Sequence, residues 1–434
     1  MIPTTSSLPP PSTHGGDAAL VLAGGGARGA YEAGILAYIY GEFAARHGSP
    51  RVDIVSGTSV GAINGGYLAA TLDDPRKGIE RLLDLWTGLE LDHVVGFGVM
   101  QAMRLGRVVM GGPSGAGLFD ARPLTKIVSE NMQWQRLVRN LRRGVLKALT
   151  ISATHVATGR PWVFVDRAPN VELPTGLPPN LVVRADRIGP QHVLASAAIP
   201  VLFPPVPVHG ELYVDGGLRL NTPMAPALHL GARRLLVVSL ASAPHAPAAP
   251  AFESGVYPGI AFLLGKVLNA FLLDHVNADF LDLERWNRAI DDGLSLYGPT
   301  YTDRMNERAA AAGRATRQRI HALALHPSED IGRLAGKHLR HHNARFGRVL
   351  GRGLLKLLDL GEGSDADLVS YLMFDGLFAK QLIRMGFEDA RRREEDLCRF
   401  FFGDGGPSLP VPDGLPTAAA LAPPAPPGPG SEDG

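Results

Sequence analysis

Residues 18–29 read AALVLAGGGARG, and residues 52–61 read VDIVSGTSVG. Each is a short, mostly apolar run that stops at glycines, the pattern of a strand buried on both faces of a parallel sheet. Helical spacing follows each run. Tyr31, Ile35, Tyr38, Ile39 and Phe43 recur with that period after the first, and a helix is expected from about Gly61 to Ala70 after the second. Further strands are expected at Ala148–Ala153, Trp162–Val165, Glu211–Val214 and Leu235–Leu240. Strands alternating with helices predict an α/β fold, a mostly parallel central sheet covered on both faces. Residues 74–147 read as a mainly helical insert, with a glycine-rich stretch over 96–117. Residues 250–402 read as an added, arginine-rich helical region after the last strand.

The chain has 434 residues, 45% of them hydrophobic, enough to bury a substantial core and to exclude wholesale disorder. Its net charge is +1, so no global field steers it to nucleic acid, and no nucleic-acid partner is expected. The one cysteine, Cys398, excludes a disulfide framework and any cysteine-based zinc cluster. Residues 1–17 lack the basic and apolar regions of a secretory signal and read as a disordered leader; 403–434, rich in Pro and Gly, read as a disordered tail. No apolar run reaches the ~18 residues of a membrane span, so the expected location is cytoplasmic, peripheral at the membrane. Oligomeric state is not legible.

Three motifs stand at the ends of the expected strands, where an open α/β sheet places its ligands. Gly24, Gly25 and Gly26, followed by Ala27, Arg28 and Gly29, can aim several N–H groups at one anion, a phosphate or an oxyanion. They also match the dinucleotide fingerprint, but the second strand carries its acid, Asp53, near the start and not at the end that reading requires. Gly57-Thr58-Ser59-Val60-Gly61, between strand and helix, has the form of a nucleophile elbow, with the Val60 N–H beside the oxyanion. Asp215, with Gly216 and Gly217, ends a strand on a glycine turn. Taken alone, that tripeptide is an ordinary turn. A Ser–Asp–His triad of the α/β-hydrolase type is disfavoured, because only one strand precedes the elbow strand and no histidine follows a clear terminal strand.

In order along the chain stand the glycine loop with arginine, G-T-S-x-G, A-S-x-x-x-P at 195–200, D-G-G at 215–217 and N-x-P at 221–223. This ordered set resembles the patatin-like phospholipase family, over roughly residues 18–241. The resemblance implies a three-layer α/β/α fold and a serine lipid acyl hydrolase, of phospholipase A or lysophospholipase type, with no cofactor and no metal. It implies Ser59 as nucleophile, Asp215 as base, and an oxyanion hole of Gly24, Gly25, Gly26 and Val60 with Arg28 beside it. Gly29, Gly57, Gly61, Gly216 and Gly217 are the motif glycines. An acyltransferase with the same dyad and a lipid-binding regulatory protein are the alternatives.

An Asp with its ordinary pKa near ~3.9 is a poor base at neutral pH, so the dyad needs Asp215 partly buried. The expected substrate is a phospholipid or lysophospholipid. Residues 91–119, apolar and glycine-rich, suit a lid or an acyl-binding wall. Residues 331–358 carry no acid but several Arg, Lys and His, with Leu334, Leu339, Phe346, Leu350, Leu354 and Leu357 at near-helical spacing. That stretch is a candidate for contact with an anionic membrane surface, or a solvated cationic face.

Overall fold

The computed structural model describes residues 17–94, 119–173, 177, 179–200, 202–241, 275–312, 318–349 and 367–403. Among the described residues nine strands form one sheet: β1 (Asp17–Leu22), β2 (Ile54–Thr58), β3 (Ala148–His155), β4 (Pro161–Arg167), β5 (Val182–Ala185), β6 (Val206–Val208), β7 (Glu211–Asp215), β8 (Ala232–Val238) and β9 (His321–Leu325). Their order is β5-β4-β3-β2-β1-β8-β9, with β7 paired to both β3 and β6. The five strands from β3 to β9 across the centre are parallel; β4 and β7 run antiparallel to β3.

The alternation of β1 explains why both sheet faces are covered. Leu20 and Leu22 enter a core with the helices Ala30–Tyr38 and Val60–Thr71. Ala19 and Val21 enter the opposite core with Met224, Ala227, Leu235 and Val237. Helices on two faces of a mostly parallel sheet make the chain an α/β protein, as its strand pattern predicts. Within the insert lie the helices Pro75–Gly88 and Arg122–Asn131, while residues 95–118 of the expected lid lie outside the described residues. So do the leader up to residue 16 and the tail from 404.

Several expectations need correcting. Asp17 belongs to β1, opposite Ala232, and its carboxylate pairs with Lys147. The region after residue 250 is not purely helical: β9 pairs in parallel with β8 from Arg234–His321 to Val238–Leu325. β5 and β6 are further strands beyond those expected. All three are short and partly exposed, so their apolar signal is weak and their pairing is set by neighbours in space. The basic stretch is changed too. In the helix Ile331–Val349, Ile331, Leu334, Ala335 and Leu339 are buried in the protein core, while Arg333, Lys337 and Arg340 are exposed. The apolar side over these residues is therefore covered by protein, and only a cationic face is presented; residues 350–358 lie outside the described residues. Among the described residues no helix is long and apolar enough to cross a membrane.

The C-terminal helix Gly376–Arg392 packs on Ala30–Tyr38 through two glycines. A Cβ at Gly34 would stand 2.0 Å from the Ile383 carbonyl oxygen, and one at Gly386 2.1 Å from that of Tyr31. Tyr31 also donates its hydroxyl to Asp389 at 3.2 Å. Helix propensity alone favours Gly→Ala by about 1 kcal/mol. Here the backbone contact reverses the sign. Gly34→Ala should lower stability by about 1–3 kcal/mol, the usual range for overpacking. Thermal unfolding checks this, and an unchanged or raised melting temperature would show that the two helices are not in backbone contact.

Candidate active site

The register of β3 brings two distant motifs to one point. Thr58, the last residue of β2, is paired with Ser152; the next residue of β3, Ala153, is paired with Asp215, the last residue of β7. β7 thus takes over as the neighbour of β3 where β2 stops. Ser59 and Asp215 are delivered to the same end of the sheet, although 156 positions separate them in the sequence.

Ser59 sits at the N-cap of the helix Val60–Thr71 with φ 55° and ψ −122°. A positive φ in a non-glycine residue costs on the order of 1–3 kcal/mol and persists only where the surroundings enforce it. They do so by close approach. A Cβ at Gly57 would lie 2.4 Å from the Gly61 carbonyl oxygen, and one at Gly61 2.3 Å from that of Leu22. Both elbow glycines are needed for the helix to start so near the sheet.

The buried Ser196, last residue of the helix Pro190–Ser196, secures the turn from the other side. Its Oγ accepts the Ser59 N–H at 2.8 Å and donates to the Ser152 carbonyl at 2.6 Å. Its own carbonyl accepts the Gly216 N–H at 3.3 Å, so one residue holds the serine turn and the aspartate turn together. Sequence reading names Ser196 only as part of a motif; its role depends on partners far away in the chain. Ser196→Ala leaves a buried N–H unpaired on a strained residue, a loss of about 1–3 kcal/mol. Catalytic turnover should fall about tenfold or more with little change in KM; a proportionate rise in KM would argue that Ser196 shapes binding instead.

Asp215 is 1% exposed. Its Oδ1 accepts the Gly217 N–H at 2.7 Å, while its backbone is held by the Ala198 carbonyl and the Thr154 hydroxyl, both at 2.9 Å. Oδ2 is buried without a hydrogen bond of normal geometry. Burial pushes the carboxyl pKa up to about 7, although the Ser59 side chain and the Gly217 N–H act to lower it. A carboxylate poised near neutrality beside a serine hydroxyl can take its proton.

The glycine loop is less uniform than its sequence. Gly24 donates its N–H to the Asn221 carbonyl at 3.2 Å and accepts from Asn221 Nδ2 at 3.2 Å. Its amide is therefore spent on shape, which corrects its expected place among the oxyanion donors and gives Asn221, from the N-x-P motif, a structural part. Arg28 is corrected too. Its Nε donates to Ser370 Oγ at 2.7 Å and its guanidinium lies 4.3 Å from the centre of the Tyr371 ring, so the side chain is 3% exposed and turned to the C-terminal region. Gly26, with φ 56°, lines a cavity together with Ser59 and Val60. Val60 opens its helix, where N–H groups have no intrahelical acceptor. Gly25, Gly26 and Val60 remain as the candidate donors.

Behind the elbow lies a buried polar group that no motif announced. Asn64 Nδ2 donates to the Gly29 carbonyl at 3.0 Å and to Glu32 Oε2 at 2.8 Å, while Asn64 Oδ1 accepts the Trp86 indole N–H at 3.0 Å. Burial holds the Glu32 carboxyl well above the usual carboxylate range, against the lowering effect of the Asn64 hydrogen bond. The end of the glycine loop is thereby fixed to Trp86 in the cavity wall.

Residues 20–228 match the family model for patatin-like phospholipases. The chain carries a patatin-like phospholipase domain. No curated protein sequence matched significantly. Among solved structures, that of VipD from Legionella pneumophila aligns at 14% identity and a TM-score of 0.34, covering 89% of this chain and 68% of its own. The family's general activity is lipid acyl hydrolysis.

The patatin-like domain does not enclose its cavity alone. Apolar side chains of the insert, including Leu82, Trp86, Leu124 and Val128, line it with Ile199 and Phe203, and Tyr371, Leu372 and Phe374 close it from beyond the domain. At the far edge of the domain, Asp186, His192 and His209 bring three potential metal ligands together. The chemistry of that set favours a proton over a metal. His192 Nδ1 accepts the Gly189 N–H at 3.1 Å, so in the neutral ring Nε2 carries the proton and faces Asp186 Oδ2 at 3.3 Å. A metal-bound histidine ordinarily donates from its second nitrogen.

Proposed function

We propose that the protein is a serine lipid acyl hydrolase that cleaves carboxylic esters of phospholipids or lysophospholipids through a Ser59–Asp215 dyad. The observation that carries this reading is a buried carboxyl, its pKa pushed up to about 7, beside a serine held in a strained helix-capping turn. Ser59 Oγ attacks the ester carbonyl while its proton passes to Asp215 Oδ2. The oxyanion is received by the N–H groups of Gly25, Gly26 and Val60, each such donor being worth about a hundredfold or more in rate. Collapse releases the alcohol, which takes the proton from Asp215, and leaves an acyl-enzyme on Ser59. Water then enters by the same route and attacks the acyl carbonyl, giving its proton to Asp215, which passes it to Ser59 Oγ as the fatty acid leaves. The apolar cavity beside Ser59 suits an acyl chain.

The exposed Arg333, Lys337 and Arg340 favour approach to an anionic lipid surface, at about 1 kcal/mol for each basic residue near it. A panel of phospholipids, lysophospholipids and neutral glycerides, with products read by mass spectrometry, tests the assignment. Release of free fatty acid that depends on Ser59 is expected. Acyl transfer to an added alcohol without net hydrolysis would assign the same acyl-enzyme to a transferase, and no product from any lipid would reject the reading.

A further inference from the structure

We propose that residues 371–374, which lie beyond the patatin-like domain, set the length of acyl chain the enzyme accepts. This deepens the hydrolase reading and rests on it. Tyr371, Leu372 and Phe374 line the cavity that also contains Ser59 and Gly26. Phe374 is stacked on Trp86 of the insert, with ring centroids 6.3 Å apart and planes 12° apart. The two aromatic faces form a wall contributed by separate parts of the chain. Leu372 and Phe374 carry no group that could handle a proton or stabilise an oxyanion. What they offer a substrate is apolar surface and a limit on space.

A wall can select only if it is held still, and this one is pinned at both ends. On one side Ser370 Oγ accepts the buried Arg28 Nε at 2.7 Å, and the Arg28 guanidinium lies over the Tyr371 ring. The Tyr371 carbonyl oxygen stands 2.4 Å from where a Cβ on Gly26 would be, so the segment is seated directly on the glycine loop. On the other side Asp375 caps the helix Gly376–Arg392, accepting the Leu377 and Phe378 N–H groups at 3.0 Å each. The same carboxyl meets His338 Nε2 at 3.1 Å. Arg28 thus acquires a function in place of the oxyanion role expected for it. It locks the acyl wall to the loop beside the nucleophile.

Phe374 is only half-buried, so its truncation should open the wall without emptying the core. In the full-length protein, Phe374→Ala should raise the ratio of kcat/KM for a 16-carbon over an 8-carbon p-nitrophenyl ester by about tenfold or more, since each buried methylene is worth about fourfold. Leu372→Trp should lower that ratio by a similar factor, with Leu372→Phe as the substitute if the larger ring prevents folding. The 4-carbon ester should change by less than about threefold in both. Equal losses at every length, or an unchanged ratio in a folded variant, would overturn the proposal.

A second measurement does not need turnover. Fatty acids of 8 to 18 carbons displace a fluorescent fatty acid from Ser59→Ala protein with and without Phe374→Ala. If the wild type hydrolyses no ester but Phe374→Ala shifts the chain-length dependence of binding, the hydrolase reading fails and the wall stands. If neither measurement shifts, the wall is wrong whatever the turnover.

Discussion

Ser59→Ala should reduce ester hydrolysis by about ten-thousandfold or more and leave the protein folded. Loss of a nucleophile removes the covalent route entirely, and in serine hydrolases that single change costs about as much as removing the whole catalytic set. The fold should tolerate it because the backbone of residue 59 makes the local contacts. Its N–H reaches Ser196 Oγ, and its carbonyl accepts the N–H groups of Ala62 at 3.0 Å and Ile63 at 3.2 Å. Alanine keeps all three bonds and the same strained φ. Ser59→Gly separates the two properties further: it should be equally inactive but more stable by about 1 kcal/mol, because glycine adopts a positive φ without steric cost. Initial rates on a lipid substrate together with melting temperatures check both statements. Hydrolysis retained in folded Ser59→Ala would remove the serine from the mechanism.

Asp215→Asn should cost about a thousandfold or more in kcat while stabilising the protein above neutral pH. Asparagine can still accept the Gly217 N–H through Oδ1, so the turn survives, but it cannot take the serine proton. The stability effect follows from the direction of the pKa shift. In the unfolded chain Asp215 ionises near pH ~4; in the folded protein burial holds its pKa at about 7. Between these values the folded state keeps a proton that the unfolded state has lost, so the wild type loses stability as pH rises from about 4 to about 7. Above that the penalty is constant, and for a shift of this size it has a ceiling on the order of 4 kcal/mol. An asparagine side chain does not titrate. The variant should therefore melt close to the wild type at pH 4 and higher than it at pH 8. Wild-type kcat/KM should rise with pH through about 7 as Asp215 ionises, and that rising limb should be absent from the residual activity of the variant.

The sheet and the elbow were legible because their signals are local. β1, β2, β3 and β8 are apolar runs, and the glycines around Ser59 mark a turn whose backbone contacts exclude any side chain. The carboxylate at the end of β7 was visible too, and so was its need for burial. What escaped reading depends on contacts between residues far apart in sequence. Three consecutive glycines look equivalent, yet the Asn221 carbonyl occupies the amide of Gly24. An arginine after a glycine loop reads as an anion binder; Ser370 and Tyr371, which hold it, lie more than 300 positions away. β9 is a five-residue edge strand in an otherwise helical, arginine-rich region, and it becomes a strand because β8 offers an unpaired edge. Of the cavity only one part was legible, the acyl-binding wall expected over 91–119, from which Val94 lines it; its other walls come from the elbow helix, the rest of the insert and the C-terminal region.

The most direct test of the Ser59–Asp215 dyad is covalent labelling by a fluorophosphonate across pH, with the adduct located by peptide mass spectrometry. One adduct per chain at Ser59, formed at a rate that rises through pH 7 in the wild type and is slow and flat in Asp215→Asn, is the predicted result. An adduct at another residue, or labelling of Ser59 at the same rate in both proteins, would contradict it.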